Sequence, residues 1–339
     1  MIWLTWRQHR KQALFGLAGL AVLAAVLIPT GNRMRDVFAS SGARGCLDAL
    51  GGAQLVAFRA AQECNSTVER FADGYETWAY GGVLLMFLPL LAGMFWGAPV
   101  VAREVEQGTH RLVWTQDVSR TRWFLVKVGL VGGGVLLLAT GYALLTNWWL
   151  WPLTRTLVVP MDYLIFDQLG VVPVAYTLFA VALGAFAGVV TRKVLPAMGA
   201  TFVAFLAVRG VVEFLVRPNV MAPKEYRVAT TTSEPMLPNP AKRDWVIDTA
   251  VHNADGSVKE PNGTAFCLRP PPGADASPPP GAAQGGRGGG CTAEGGYNLW
   301  TYQPSGRFTT FQLIEAGIFL VLAVALVAGT VHLVRRRLS

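Results

Sequence analysis

Six stretches of the chain are apolar almost without interruption, and the polar residues gather between them. They cover residues 11–30, 78–101, 124–147, 171–191, 195–216 and 309–332. Each has about the 20 residues an α-helix needs to cross the hydrocarbon core of a bilayer. In lipid an isolated segment satisfies its backbone polar groups only as a helix, so the pattern predicts an all-α polytopic membrane protein with six transmembrane helices. A short turn carrying Arg192 and Lys193 joins the fourth and fifth stretches, and Trp148, Trp149 and Trp151 at the end of the third suit the headgroup belt. The first stretch follows Arg7, Arg10 and Lys11 as a secretory leader would. Its exit, Ile28-Pro29-Thr30-Gly31-Asn32, has no convincing small-x-small cleavage site, so it is read as a retained span.

Only 15% of the 339 residues are charged, against about 25% in soluble domains, which excludes an ordinary soluble enzyme. The charges also set direction. Residues 1–11, 101–123, 191–194 and 333–339 carry twelve Lys/Arg and three acids, whereas the remaining connections carry fifteen and sixteen. The denser basic side is the cytoplasmic one. Both termini and the 102–123 loop are therefore expected inside, with 31–77, 148–170 and 217–308 extracytoplasmic. The chain's net charge of +8 is a topology signal and needs no nucleic acid to explain it.

This topology puts Cys46, Cys64, Cys267 and Cys291 on the outer side. Three pairings are possible, of which Cys46 with Cys64 and Cys267 with Cys291 is the simplest; four free thiols are the alternative. There is no CxxC or Cys/His cluster to hold a metal. Residues 217–308 contain thirteen of the twenty prolines and a Gly-rich run, so most of this insert is expected not to order itself. The stretches from Tyr226 to Ile247 and Tyr297 to Tyr302 have enough aromatic and β-branched residues for a small cap. At the other end, Trp3 and Trp6 share a helical face beside Arg7 and Arg10, which suits an interfacial elbow helix over 1–12 or a frayed basic flank.

Ionisable residues inside spans are costly and therefore informative. Arg209 and Glu213 stand one helical turn apart on the fifth span with Arg217 a further turn outward, and Gln312 and Glu315 stand on the sixth. At 1.5 Å per residue Arg209 lies about 10 Å and Glu315 about 9 Å from the outer ends, similar depths. They are expected to form a polar cluster, either a structural network or the lining of a substrate route. Gly132-Gly133-Gly134, and Gly184 with Gly188, permit close helix contacts.

The 101–123 loop is unusually patterned for a linker. Glu104, Gly108-Thr109, Leu112-Val113, Val118-Ser119-Arg120 and Lys127, with the opening Trp3-Leu4-Thr5-Trp6-Arg7-Gln8-His9-Arg10, resemble the permease subunits of ABC-2-type ABC exporters. The phrase Gly108-Thr109-His110-Arg111-Leu112-Val113-Trp114 resembles a subgroup common in high-GC Gram-positive bacteria. The resemblance covers 1–216 and 309–339, not the insert. It implies an ABC-2-like exporter fold in the bacterial plasma membrane, paired with a second permease copy or relative, and a separately encoded ATPase subunit that binds ATP and Mg. It also implies that Glu104, Gly108, Thr109, Arg111, Leu112, Trp114, Ser119 and Arg120 couple the chain to that ATPase. From the residues themselves, Glu104 is expected to hold the loop through Arg111 or Lys127.

No G-x-x-x-x-G-K-[ST] phosphate loop is present, and cytoplasmic segments of at most 23 residues cannot house an ATPase domain. The chain is thus expected to have no catalytic residues and no cofactor of its own. A membrane-embedded enzyme is disfavoured because His9, His110, His252 and His332 are scattered. A non-transporting assembly or sensory protein, using 217–308 as a binding cap, is the alternative to export.

Overall fold

The computed structural model describes residues 2–52, 58–108, 119–156, 158–229, 244–263 and 296–337. The chain divides into two compact units, one of Met1–Arg217 with Phe308–Ser339 and one of Pro218–Arg307.

The first unit holds six helical spans, Trp6–Ser40, Gly82–Glu106, Thr121–Thr156, Val172–Thr191, Val194–Asn219 and Ser305–Arg336, each long and apolar enough to cross a membrane. Several exceed the apolar stretches from which they were expected. The first belongs to helix α1 (Ile2–Ser40), whose 39 residues would extend about 58 Å at 1.5 Å per residue, nearly twice a hydrocarbon core of about 30 Å. Hydropathy marks the part in lipid, whereas the helix continues wherever its backbone bonds do. The chain therefore passes residue 12 without a break, and the first turns of α1 are continuous with the span.

Two prolines interrupt these long helices without ending them. Beside Pro29 the Thr30 hydroxyl donates to the Val26 carbonyl at 2.7 Å and accepts from the Trp149 indole at 3.1 Å. Pro152 has no N–H to offer the Trp148 carbonyl four residues earlier. That carbonyl accepts instead from the Arg35 guanidinium, which lies 4.6 Å from the Trp148 ring centre and 5.4 Å from that of Trp151. The freed acceptor thus becomes a tie between the first and third spans.

Beyond α1 lie α2 (Ala43–Gly52) and α3 (Phe58–Gly81), joined by a Cys46–Cys64 disulfide with Cα atoms 5.4 Å apart. Phe38, Ala43, Phe71, Trp149, Leu153 and Ile165 form a buried cluster that packs these helices against the ends of the first and third spans. Cys267 and Cys291 lie outside the described residues.

The fourth span is the axis of the unit, with 72% of its apolar window buried against 6% for the first span. It meets the second span backbone to backbone. A Cβ at Gly93 would lie 2.6 Å from the Ala180 carbonyl oxygen, one at Gly97 2.6 Å from that of Val181, and one at Gly188 2.7 Å from that of Ala98. A π-type turn over Gly93–Gly97, closed by Ala98 N–H donating to the Gly93 carbonyl at 2.9 Å, lies in this seam just before Pro99. Gly184 and Gly188 therefore serve the expected close contact. Gly132, Gly133 and Gly134 do not, since a Cβ at each would have nothing within 4 Å.

The second unit corrects the all-α expectation. Its described residues form a four-stranded antiparallel sheet of order β1-β4-β2-β3, with β1 Lys224–Ala229, β2 Trp245–His252, β3 Val258–Pro261 and β4 Tyr297–Gln303. Tyr226 and Thr249 flank Trp300 across the strands, the type of half-buried aromatic and β-branched pairing that stabilises sheets. The β2–β3 turn places Gly256 at φ +85°, and the Asp255 carboxylate accepts from the Ser257 hydroxyl and N–H at 2.6 and 2.8 Å. Those two bonds hold the Asp255 carboxyl below its usual range.

Candidate functional site

Ionisable side chains from four segments meet where the third span ends and the fourth begins. The first segment is the connection into the fourth span. Asp162 starts a single helical turn, Tyr163–Phe166, by accepting from Leu164 N–H at 3.0 Å. Asp167 follows immediately. The chain then reverses at Gly170, whose φ of +62° suits a residue without a Cβ. Asn147 from the third span accepts from the Gly170 N–H at 2.8 Å. Gln312 from the sixth accepts from Val171 and Val172 N–H at 3.1 and 3.2 Å and donates to the Phe166 carbonyl at 3.0 Å. A glutamine of one helix thus caps the N-terminus of another and fixes Asp167 beside both.

The second segment is the end of the fifth span, where a π-type turn covers Val212–Val216. In an uninterrupted α-helix, residues eight apart point roughly 80° away from each other. The extra residue of a π-type turn takes back about one 100° step, so Arg217 returns to within about 20° of the direction of Arg209. Arg209 pairs with Asp167 and lies 3.7 Å from Glu213. Arg217 reaches Asp167 at 2.6 Å and Glu315 of the sixth span at 2.8 and 2.9 Å, with its guanidinium 4.2 Å from the Phe166 ring centre. The Tyr176 hydroxyl of the fourth span donates to Glu315 and lies 3.2 Å from Asp167.

Asp167, Arg209, Arg217 and Glu315 are each at most 4% exposed. In such surroundings each ion depends on its partner, and removing one partner of a buried pair typically costs about 3–5 kcal/mol. The network ties the fourth, fifth and sixth spans to one connecting segment.

Arg209, Glu213, Gln312 and Glu315 are brought to one place. Asp167, Arg217 and Tyr176 complete the group. Asp167 bridges both arginines, yet nothing in its sequence setting distinguishes it. Charge balance gave no signal either, since Glu213 and Glu315 already match Arg209 and Arg217 in number.

A second arrangement lies at the opposite ends of the spans, around the two ends of the 107–119 connection. Glu104 at the end of the second span pairs with Lys127 on the third, and the Lys127 ammonium lies 4.9 Å from the Trp123 ring centre. Of the two partners considered for Glu104, the described pair is with Lys127, which is only 3% exposed. Glu106 accepts from Val194 N–H at 3.0 Å, tying the same end to the start of the fifth span. Arg335 donates to the Thr121 hydroxyl at 2.9 Å, and the Ser119 hydroxyl accepts from Arg122 N–H at 3.3 Å as the third span begins at Arg120. Gly108, at φ +71°, follows the second span. Beneath these ties Val101, Trp123, Phe124, Val189 and Val334 form one buried cluster. Thr109, Arg111, Leu112 and Trp114 lie outside the described residues.

A family model described as ABC-2 membrane transporter related matches residues 17–217. The chain belongs to this ABC-2 family. It is a multi-pass, permease-type ABC-2 membrane protein. No curated protein and no solved structure matches it. The ABC-2 match takes in most of the first span, the next four, both ends of the 107–119 loop, and Asp167, Arg209 and Arg217. Gln312, Glu315 and the insert fall beyond it.

Proposed function

We propose that this ABC-2 protein is the transmembrane subunit of an ATP-driven exporter, with both termini in the cytoplasm. Two copies, or this chain with a related one, frame the substrate route. A separately encoded ATPase subunit docks on residues 104–120 and on the first turns of α1. ATP binding and hydrolysis move that subunit, and the loop passes the displacement to the second and third spans.

The observation that carries the reading is the mount of the loop. A loop transmits a push only if its ends are held, and Glu104–Lys127 joins them while Glu106 ties them to the fifth span. The excess of basic residues on this side supports its placement in the cytoplasm. On this reading the Asp167–Arg209–Arg217–Glu315 group lies near the outer ends and acts as a latch holding the fourth, fifth and sixth spans together. Co-purification with a candidate ABC ATPase subunit tests the proposal. The wild-type chain should retain the ATPase and Trp114→Ala should release most of it with the chain still folded. A chain that retains no ATPase, or a Trp114→Ala variant that binds it undiminished, would count against the assignment.

A second reading, an assembly or sensory protein, is favoured by one observation, the folded sheet in the insert. Normal export by a chain whose β1–β4 surface is extensively substituted would remove it.

A further inference from the structure

The described sheet of the insert has two edge strands, β1 and β3, and they are built differently. An edge strand offers a row of backbone N–H and C=O groups to any other strand, and proteins usually blunt it with short length, proline or a local irregularity. β3 is blunted in all three ways. It has four residues, ends on Pro261, and its pairing with β2 shifts register between Val251 and His252. β1 has none of these features. Its six residues pair one for one with β4, from Lys224 with Tyr302 to Ala229 with Tyr297, without a shift. It contains no proline or glycine, and no described strand lies on its outer side.

Charge is the remaining guard of an edge, and on β1 it is laid out symmetrically. Glu225 and Arg227 lie on one face of the sheet, on either side of Tyr226, which points to the other face. Their side chains are 57% and 64% exposed and stand 3.4 Å apart. On the same face the Arg227 guanidinium lies 5.4 Å from the ring centre of Tyr297, which stacks on His252 at 5.1 Å. Suppose that a second β1 runs antiparallel to the first about a two-fold axis at Tyr226. Glu225 of each copy then stands opposite Arg227 of the other, and Lys224 faces Val228. Opposite residues are about 4.5–5.5 Å apart and diagonal ones about 7–8 Å, so each carboxylate has a guanidinium nearest and its like charge further away. A shift of one or two residues, or a parallel second strand, loses this match.

We infer that β1 is an interface strand through which two copies of this chain join their inserts into one continuous antiparallel sheet. The contact is isologous, the self-complementary kind that closes a dimer. It sharpens the proposed pairing of two permease chains by committing that pair to a second copy of this chain. It uses nothing about an ATPase.

The test is oxidative cross-linking of the full chain in membranes, with Cys267→Ser and Cys291→Ser in the background so that these thiols do not react. Facing residues of antiparallel strands have Cα atoms about 4.5–5.5 Å apart, within reach of a disulfide. Tyr226→Cys should therefore give a covalent dimer of twice the chain mass. Lys224→Cys should not, because its two copies would lie about 14 Å apart, four residues at 3.4 Å. Glu225→Arg should cut the Tyr226→Cys dimer about tenfold, since two attractive cross-strand pairs become two repulsive ones. Adding Arg227→Glu swaps the charges and should restore it. Absence of the Tyr226→Cys dimer, an equal dimer from Lys224→Cys, a product of another mass, or a charge swap without recovery overturns the inference. Should Tyr226→Cys fail to fold, a spin label on the exposed Lys224→Cys decides it. Its electron paramagnetic resonance spectrum should show dipolar broadening that dilution with unlabelled chain removes, and a spectrum without broadening overturns the inference. Both measurements use the chain alone, so failure here leaves the ATPase reading standing, and loss of the ATPase leaves this inference standing.

Discussion

At the scale of single residues, the protein concentrates its risk in one place. Arg217 is 1% exposed and pairs with both Asp167 and Glu315. Arg217→Met should therefore lower stability by about 3–5 kcal/mol by leaving buried charge uncompensated, read as a large fall in the thermal midpoint in detergent. Adding Glu315→Gln should recover part of that loss, because Asp167 keeps Arg209. Additive losses in the two variants would show that the pair is not coupled. Arg209, Glu213, Gln312 and Glu315 were legible in the sequence because polar residues inside apolar runs stand out. Asp167 was not, because it occupies a connection where a carboxylate is unremarkable. Tyr176 was hidden for the opposite reason: a tyrosine in the first turns of a span reads as part of the interfacial belt, and only the fold turns its hydroxyl toward Glu315.

At the scale of elements, glycines separate two kinds of helix surface. Gly93 stands where its Cβ would meet the Ala180 backbone, whereas a Cβ at Gly132 would meet nothing. Gly93→Ala should force the second and fourth spans apart and sharply lower the yield of folded protein. Gly132→Ala should be neutral or stabilising by up to about 1 kcal/mol, the helix propensity difference. Equal behaviour of the two variants in a thermal-shift measurement would contradict the seam. Sequence alone ranked these positions poorly, since a Gly-x-x-x-Gly spacing or a triple glycine says that a helix can be approached and not which neighbour does so. Helix ends were similarly elusive. Apolar runs stop at the headgroups, but α1 and the third span continue through Pro29 and Pro152, and at Pro152 Arg35 takes up the carbonyl left without its helical partner. The stretches from Tyr226 to Ile247 and Tyr297 to Tyr302 suggested a small cap but not its strands, of which β3 lies outside both, and the pairing depends on contacts between residues up to 78 positions apart, as for Lys224 with Tyr302.

At the scale of the whole molecule, the described ties lie at opposite ends of the helical unit. One end is locked by buried charge among the fourth, fifth and sixth spans, and the other is clamped by Glu104–Lys127 between the second and third. The six spans and the basic bias of their connections could be read directly from the chain, because hydrophobic length and charge are local properties. Glu104 with Lys127 was one of two pairings the sequence offered for the clamped end, but the lock at the other could not be read, because Asp167 meets its two arginines only when separate helices pack. On the proposed reading the clamped end receives the motion of an ATPase and the locked end limits where that motion goes. Glu104→Gln combined with Lys127→Met removes the tie without leaving either charge alone, so the chain should still fold and still bind its ATPase. The direct measurement is substrate export in inside-out vesicles containing the complex, with ATP hydrolysis followed in parallel. The account predicts that the double variant hydrolyses ATP but exports at roughly a tenth of the wild-type rate, equivalent to about 1.4 kcal/mol of lost coupling. Export at the wild-type rate, with the tie gone and the complex intact, would contradict it.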